Sequence, residues 1–187
     1  MASLTLLIVR HAEKPGENWP GPGLTSKGAP DKDALVIRGW QRAGAWAALF
    51  GAGLGGTLYP APAKIYAANP DATGDDVSQR PYETALPLAD RLFGTKPDTS
   101  FAKGQEAALV NALLGLSGVV LVAWEHKAIV EDILPRLPIA SGKPPTHWDG
   151  ARYDVVLRLD RADGASGFAF RQLFPKLLSG DSDTPLG

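Results

Sequence analysis

Apolar residues in this chain fall into short blocks separated by Gly- and Pro-rich punctuation, and the blocks alternate between strand-like runs and helical periodicity. Leu4-Thr5-Leu6-Leu7-Ile8-Val9 is almost continuously apolar, as a strand covered on both faces requires, and predicts a central parallel strand. Lys64-Ile65-Tyr66-Ala67-Ala68 and the β-branched run Val119-Val120-Leu121-Val122-Ala123-Trp124, bounded by Gly118, read the same way. From Leu35 to Phe50 the apolar positions Val36, Ile37, Trp40, Ala43, Ala47 and Phe50 recur at helical steps, and Gly51-Ala52-Gly53 ends the pattern. A second helix is predicted from Arg80 to about Phe93, with Pro81 in its first turn and Leu86, Leu88, Ala89, Leu92 and Phe93 inward. A third covers about Glu106 to Leu116. A fourth, Ala128 to Leu134, stops near Pro135-Arg136-Leu137-Pro138. Residues 153–159 and 168–173 read as two strands around an Asp163-Gly164 turn, an antiparallel hairpin at the sheet edge.

This βα alternation predicts an α/β fold: a three-layer sandwich with a mostly parallel central sheet and an antiparallel edge hairpin. The long segment from Lys14 to Asp33 is loop, rich in Gly and Pro, and its origin beside His11 suggests a wall over a pocket. Trp19 there reads either as a stacking surface or as a pin holding the loop to the body. Residues 69–76 form a further loop. With 187 residues, one domain over 1–178 is expected, followed by a polar, frayed tail over 179–187.

Composition narrows the classes of function. Nineteen basic and twenty acidic residues give a formal net charge of −1, which argues against nucleic acid or an anionic membrane as partner. The absence of cysteine excludes disulfides, thiolate metal sites and cysteine nucleophiles, and fits a cytoplasmic protein. The N-terminal apolar stretch is too short to span a bilayer and lacks a basic leader region. No feature specifies an oligomeric state.

Chemistry concentrates where strands end. The first strand runs into Arg10-His11, and ligands of open α/β sheets sit beyond the carboxyl ends of such strands. Arginine offers a fixed fork of donors for phosphate, and neutral imidazole is a nucleophile at cellular pH. Together they suggest phosphoryl transfer through a phosphohistidine; the alternative is a solvated pair at a strand end. The run ending in Trp124 leads into Glu125-His126-Lys127 at the start of a helix, where an anion is favoured. Arg80 stands at a third strand-to-helix passage, opening Arg80-Pro81-Tyr82-Glu83-Thr84-Ala85.

At these three pieces the chain resembles the histidine phosphatase superfamily, the phosphoglycerate mutase-like fold group. Arg10-His11 matches the Arg-His-Gly signature, Arg80 with Glu83-Thr84-Ala85 the second arginine and its tail, and His126 the second histidine. The resemblance implies a phosphomonoester hydrolase in which His11 is the phosphorylated nucleophile and Arg10, Arg80 and His126 bind the phosphoryl group of a small phosphorylated substrate or a phosphoprotein. Alternatives are a mutase-like phosphotransferase and a catalytically weak phosphate-ligand or protein-binding domain of the same fold. Two guanidiniums and a histidine supply the positive charge, so neither metal nor cofactor is expected, and none of the three histidines is spaced as H-x-H or H-x-x-x-H. His147 reads as structural, and Trp148 as filler of the core edge.

The pattern departs in three places. Ala12 stands where a glycine is usual, and Lys127 where the phytase-like branch has an aspartate that supplies the proton. The mutase-like branch uses a glutamate after the second arginine's helix, for which Glu106 is available. Glu125, Asp149 and Glu106 are therefore the candidate proton donors, with Glu125 preferred because it adjoins His126; a substrate with a good leaving group would need none.

Overall fold

The computed structural model of the protein describes residues 2–72 and 78–187; of the loop expected at 69–76, residues 73–76 lie outside the described residues. The elements in chain order are β1 (Leu4–Arg10), α1 (Ile37–Gly51), β2 (Lys64–Ala67), α2 (Arg80–Phe93), α3 (Glu106–Leu114), β3 (Gly118–Trp124), α4 (His126–Ala128), β4 (Ile139–Ser141), β5 (Val156–Arg161) and β6 (Phe168–Leu173). One six-stranded mixed sheet has the order β2-β3-β1-β5-β6-β4. β2, β3 and β1 are parallel, while β5 runs antiparallel to both β1 and β6.

The continuous apolarity of β1 follows from its place in this sheet. Leu4, Leu6 and Ile8 point into one cluster with Leu109, Leu113, Ile129 and Ile133. Leu7 and Val9 point into another with Trp46, Phe50, Ala85 and Leu88. Alternate side chains of one strand thus serve two cores, with α1 and α2 covering one face and α3 and the helical segment after β3 the other. The result is a three-layered α/β arrangement. No helix among the described residues is long and apolar enough to cross a membrane.

Five expectations are corrected. The hairpin is not at the edge: β5 pairs with β1, and β6 carries the short strand β4 outside it. Three residues are too few to show strand periodicity, so β4 left no legible pattern. The fourth helix starts at His126 and is not uniform. After Ala128 it becomes a π-turn over Ile129–Ile133, with the Leu134 N–H bonded to the Ile129 carbonyl, and then a 3₁₀ turn over Leu134–Arg136. Pro135 has no N–H to continue an α-helical ladder. In α1 the buried face is rotated from the expected one: Ile37 is 66% exposed, and Gly39, Arg42, Ala43, Trp46, Ala47 and Phe50 face inward. Similarly, Phe93 lies exposed at the end of α2, although Leu88 and Ala89 are buried as expected.

The last correction concerns residues 179–187, which lie against the body. Arg42 holds Glu13 through Nε and Nη2 and holds Asp181 through Nη1 and Nη2, at 2.8–3.1 Å. The Ser182 N–H donates to Asp154, Gln172 exchanges two hydrogen bonds with the Leu186 backbone, and the Leu186 side chain enters the core. Glu13 is fully buried and belongs to the segment that leaves the sheet through His11. Gly39 lets α1 approach it, since a Cβ at that position would fall 2.6 Å from the Glu13 carbonyl oxygen.

Removing Arg42 leaves the two carboxylates with only the longer contacts to Arg38, at 3.3 Å from Glu13 and 3.9 Å from Asp181. Arg42→Ala is expected to lower unfolding free energy by about 3–5 kcal/mol, the cost of breaking a buried ion pair. Denaturant unfolding measures it, and a loss below about 1 kcal/mol, as for a surface pair, would contradict the role given to this network.

Candidate active site

β1 and β3 lie in parallel register with Arg10 opposite Trp124, and the His11 N–H continues the ladder to the Trp124 carbonyl at 2.9 Å. The residues that follow each strand, His11 on one and Glu125-His126 on the other, therefore leave the sheet side by side. They open onto a cavity of about 690 Å³, whose walls include His11, Arg80, Glu106, Glu125 and His126.

His11 is 4% exposed. Its Nδ1 lies 2.7 Å from the Ala12 carbonyl oxygen, and because a carbonyl can only accept, Nδ1 carries the proton and Nε2 the lone pair. Burial, then the neighbouring Arg10, with further contributions from Arg80 and His126, push the imidazole well below its ordinary pKa, against the pull of the Ala12 carbonyl. A neutral, oriented imidazole is the form a nucleophile requires. Ala12 fits without strain, since the only described non-glycine residue with positive φ is Lys176. The Ala12 N–H donates to Thr84 Oγ1 at 2.8 Å, and the Thr84 hydroxyl donates to the Arg80 carbonyl at 2.7 Å. Thr84 thus ties the His11 segment to the first turn of α2, a buttressing role for which the sequence offered only the Glu-Thr-Ala pattern.

Arg10 lies behind His11. Its Nη1 donates to the carbonyls of Gly150 and Arg152 at 2.9 and 2.8 Å, and its guanidinium stands 3.9 Å over the Tyr153 ring. Arg80 Nη2 donates to the Lys32 carbonyl at 3.2 Å and lies 3.5 Å from Asp33 Oδ1. In both guanidiniums Nε is buried without a hydrogen-bond partner. Burial lowers the pKa of both from the usual arginine value. His126 Nδ1 lies 2.7 Å from Glu125 Oε1, while Glu125 Oε2 caps α4 by accepting from the Ala128 N–H at 3.0 Å.

These contacts weigh against the preference for Glu125 as proton donor. Burial would raise its pKa, but the hydrogen bonds from His126 and from the Ala128 and Lys127 N–H groups outweigh burial and hold it at about 2. Glu125 is ionised at neutral pH and orients His126. Asp149 is exposed and outside the cavity wall, its Oδ1 accepting from the Ala151 N–H at 2.8 Å. Glu106 is buried in the wall; its Oε1 accepts from the Trp124 indole at 2.9 Å and from the Gly104 N–H at 3.0 Å. His147 is exposed, and Trp148 is buried with its indole donating to the Arg152 carbonyl.

From the 14–33 loop, the ends Lys14 and Asp33 line the cavity. Trp19 is not in its wall; the Arg38 guanidinium stands 4.3 Å over the ring, which pins the loop to α1. Sequence reasoning missed Lys14 as a wall residue and Glu13, Arg42 and Asp181 as its support. The only available signal was the Arg38–Arg42 spacing on one helix face. Among the described residues, no group of three or more His, Asp or Glu side chains is arranged to hold a metal ion. No family model and no curated protein matches the chain.

Glu83, buried next to Thr84 in α2, accepts from the Leu35 N–H at 2.8 Å. Burial raises its pKa from 4.5 to about 7, against the Leu35 hydrogen bond. The folded carboxyl therefore binds its proton more tightly than the unfolded one, so its contribution to stability falls as pH rises from 4.5 to about 7. Glu83→Gln keeps an acceptor and removes the titration. The variant is expected to unfold with a flatter pH dependence across that window and to be at least as stable as wild type at pH 8; an unchanged slope would contradict this assignment.

Proposed function

We propose that this chain is a phosphomonoester hydrolase of the histidine phosphatase superfamily, with a phosphoglycerate mutase-like fold, acting in the cytoplasm through a phosphohistidine on His11. The observation that carries the reading is a buried, neutral His11 sharing one cavity wall with Arg80 and His126, with Arg10 behind it outside that wall. Buried polar atoms are ordinarily paired, and an anion in the cavity would give the unpartnered Arg80 Nε an acceptor.

The phosphoryl group of a monoester binds against Arg80, His126 and the free edge of Arg10. Glu125 fixes the His126 ring so that its Nε2 side faces the phosphoryl oxygens. His11 Nε2 attacks phosphorus in line, the bond from phosphorus to the ester oxygen breaks, and that oxygen takes a proton from Glu106. Water then attacks the phosphohistidine. The phosphorus–nitrogen bond breaks with its electron pair returning to Nε2, the water proton passes to Glu106, and inorganic phosphate leaves. Catalysis is chiefly positioning and electrostatic stabilisation. Glu106 takes the acid role by position: it lies buried in the cavity wall, whereas Asp149 lies outside the cavity and Glu125, Asp33 and Asp132 are engaged by His126, Arg80 and Arg136.

His11→Ala is expected to reduce phosphatase activity to background while circular dichroism stays native. Arg80→Ala should lower activity on all monoesters by a similar factor, on the order of 10²–10³, because it grips the group they share. Glu106→Gln should slow alkyl phosphates by about 10²-fold or more yet spare p-nitrophenyl phosphate, whose leaving group needs little protonation. Full activity in His11→Ala would refute the mechanism, and equal losses on both ester types would remove Glu106 as the acid.

A further inference from the structure

His11 serves as a nucleophile in one of its two neutral forms, with the proton on Nδ1 and the lone pair on Nε2. The hydrogen bond from Nδ1 to the Ala12 carbonyl, at 2.7 Å, makes that choice. The acceptor must therefore be held still. It belongs to the Ala12–Glu13 peptide, and the chain is fastened on either side of it: the Ala12 N–H donates to Thr84 Oγ1 at 2.8 Å, and the Glu13 carbonyl accepts from the Val36 N–H at 3.1 Å. The third fastening is the Glu13 carboxylate, which accepts from Arg42 Nε and Nη2 at 2.8–3.1 Å. Arg42 is in turn fixed by Asp181, whose oxygens take Nη1 at 3.1 Å and Nη2 at 2.8 Å, while the Leu178 N–H donates to Asp181 at 2.9 Å. All three side chains are almost fully buried, so water does not stand in for a lost bond. Arg38 Nε lies 3.3 Å from Glu13 without hydrogen bonding to it, and does not replace this grip.

Resting on the hydrolase reading above, we propose that Asp181 is a positioning residue for His11: through Arg42 and Glu13 it fixes the Ala12–Glu13 peptide, whose carbonyl keeps His11 in the Nδ1–H form with Nε2 free to attack. Asp181 lies outside the cavity wall and acts through the chain of contacts alone. Burial would raise its pKa, but the hydrogen bonds from Arg42 and the Leu178 N–H outweigh burial and hold it below the usual aspartate value, so the clamp is charged at neutral pH. Loss of that charge frees the Arg42 guanidinium, then the Glu13 side chain, and lets the peptide between Ala12 and Glu13 rotate its carbonyl off Nδ1.

Asp181→Asn tests this in the full chain, because asparagine keeps the volume and removes the charge. The 179–187 segment stays docked through Asp154, Gln172 and the Leu186 side chain, which confines the loss to the clamp. Nuclear magnetic resonance of protein labelled with ¹⁵N-histidine reads the imidazole tautomer, the His11 signals being identified by their loss in His11→Ala. Wild-type His11 is expected in the Nδ1–H form at neutral pH, and Asp181→Asn should lower the ratio of Nδ1–H to Nε2–H about fivefold, the scale of one net hydrogen bond. Leu186→Ala loosens the same segment from the core but leaves Arg42 untouched; it should lower stability and keep the wild-type ratio. On p-nitrophenyl phosphate, Asp181→Asn should lower kcat about tenfold with KM within about twofold, since Arg80 and His126 still hold the phosphoryl group. Wild-type His11 in the Nε2–H form, an unchanged ratio or unchanged kcat in Asp181→Asn, or an equal shift in Leu186→Ala would each overturn the proposal. Because the tautomer is read without substrate, lack of turnover by the wild type would refute the hydrolase reading alone.

Discussion

The parallel register of β1 against β3 is the constraint on which the site depends. Arg10 is level with Trp124, and the ladder extends one residue further through the His11 N–H. A slip of one residue would exchange the two core faces of β1, so the packing of Leu6 and Ile8 on one side and Leu7 and Val9 on the other enforces the register. The same packing sets where His11 and His126 emerge. Trp124, fully buried, carries the register further by holding Glu106 in the cavity wall.

Around this ladder the protein sets the guanidiniums of Arg10 and Arg80 next to a neutral imidazole. Desolvation of Arg10 is offset by backbone carbonyls of the 149–152 segment and by the Tyr153 ring, which neutralise none of its charge. Only Nη1 is occupied in that way, and Nε stays open. Arg42, by contrast, is fully spent on Glu13 and Asp181. Arg42 and Arg10 divide the labour: one cation is neutralised to hold the His11 segment against α1 and the 179–187 segment, and the other keeps its charge beside His11.

Much of this was legible in the sequence because β1 and β3 are covered on both faces and so read as apolar runs. Their ends placed His11, Arg80 and His126 at strand-to-helix passages, and all three line one cavity. What was not legible depends on contacts remote in sequence. The buried face of α1 includes Arg42, a position that periodicity assigns to solvent, because Asp181, 139 residues away, neutralises it. The segment after Ser179 looked frayed by its polarity; its Asp181 carboxylate, Thr184 carbonyl and Ser182 and Leu186 N–H groups are instead satisfied by Arg42, Arg152, Asp154 and Gln172. Glu125 looked like an acid because it adjoins His126, whereas the cap on α4 and the bond to His126 hold it ionised. The sheet edge was misplaced because β4 is too short to show a period of two.

The central claim is that His11 Nε2 becomes bonded to phosphorus during turnover. Rapid quenching of wild type and His11→Ala with a phosphate monoester, under alkaline conditions that preserve phosphohistidine, followed by peptide mass spectrometry, tests it most directly. The account predicts an acid-labile, alkali-stable phosphate on the peptide containing His11 in the wild type and none in the variant. Phosphate on a serine or aspartate, or turnover with no covalent phosphoenzyme at any quench time, would contradict it.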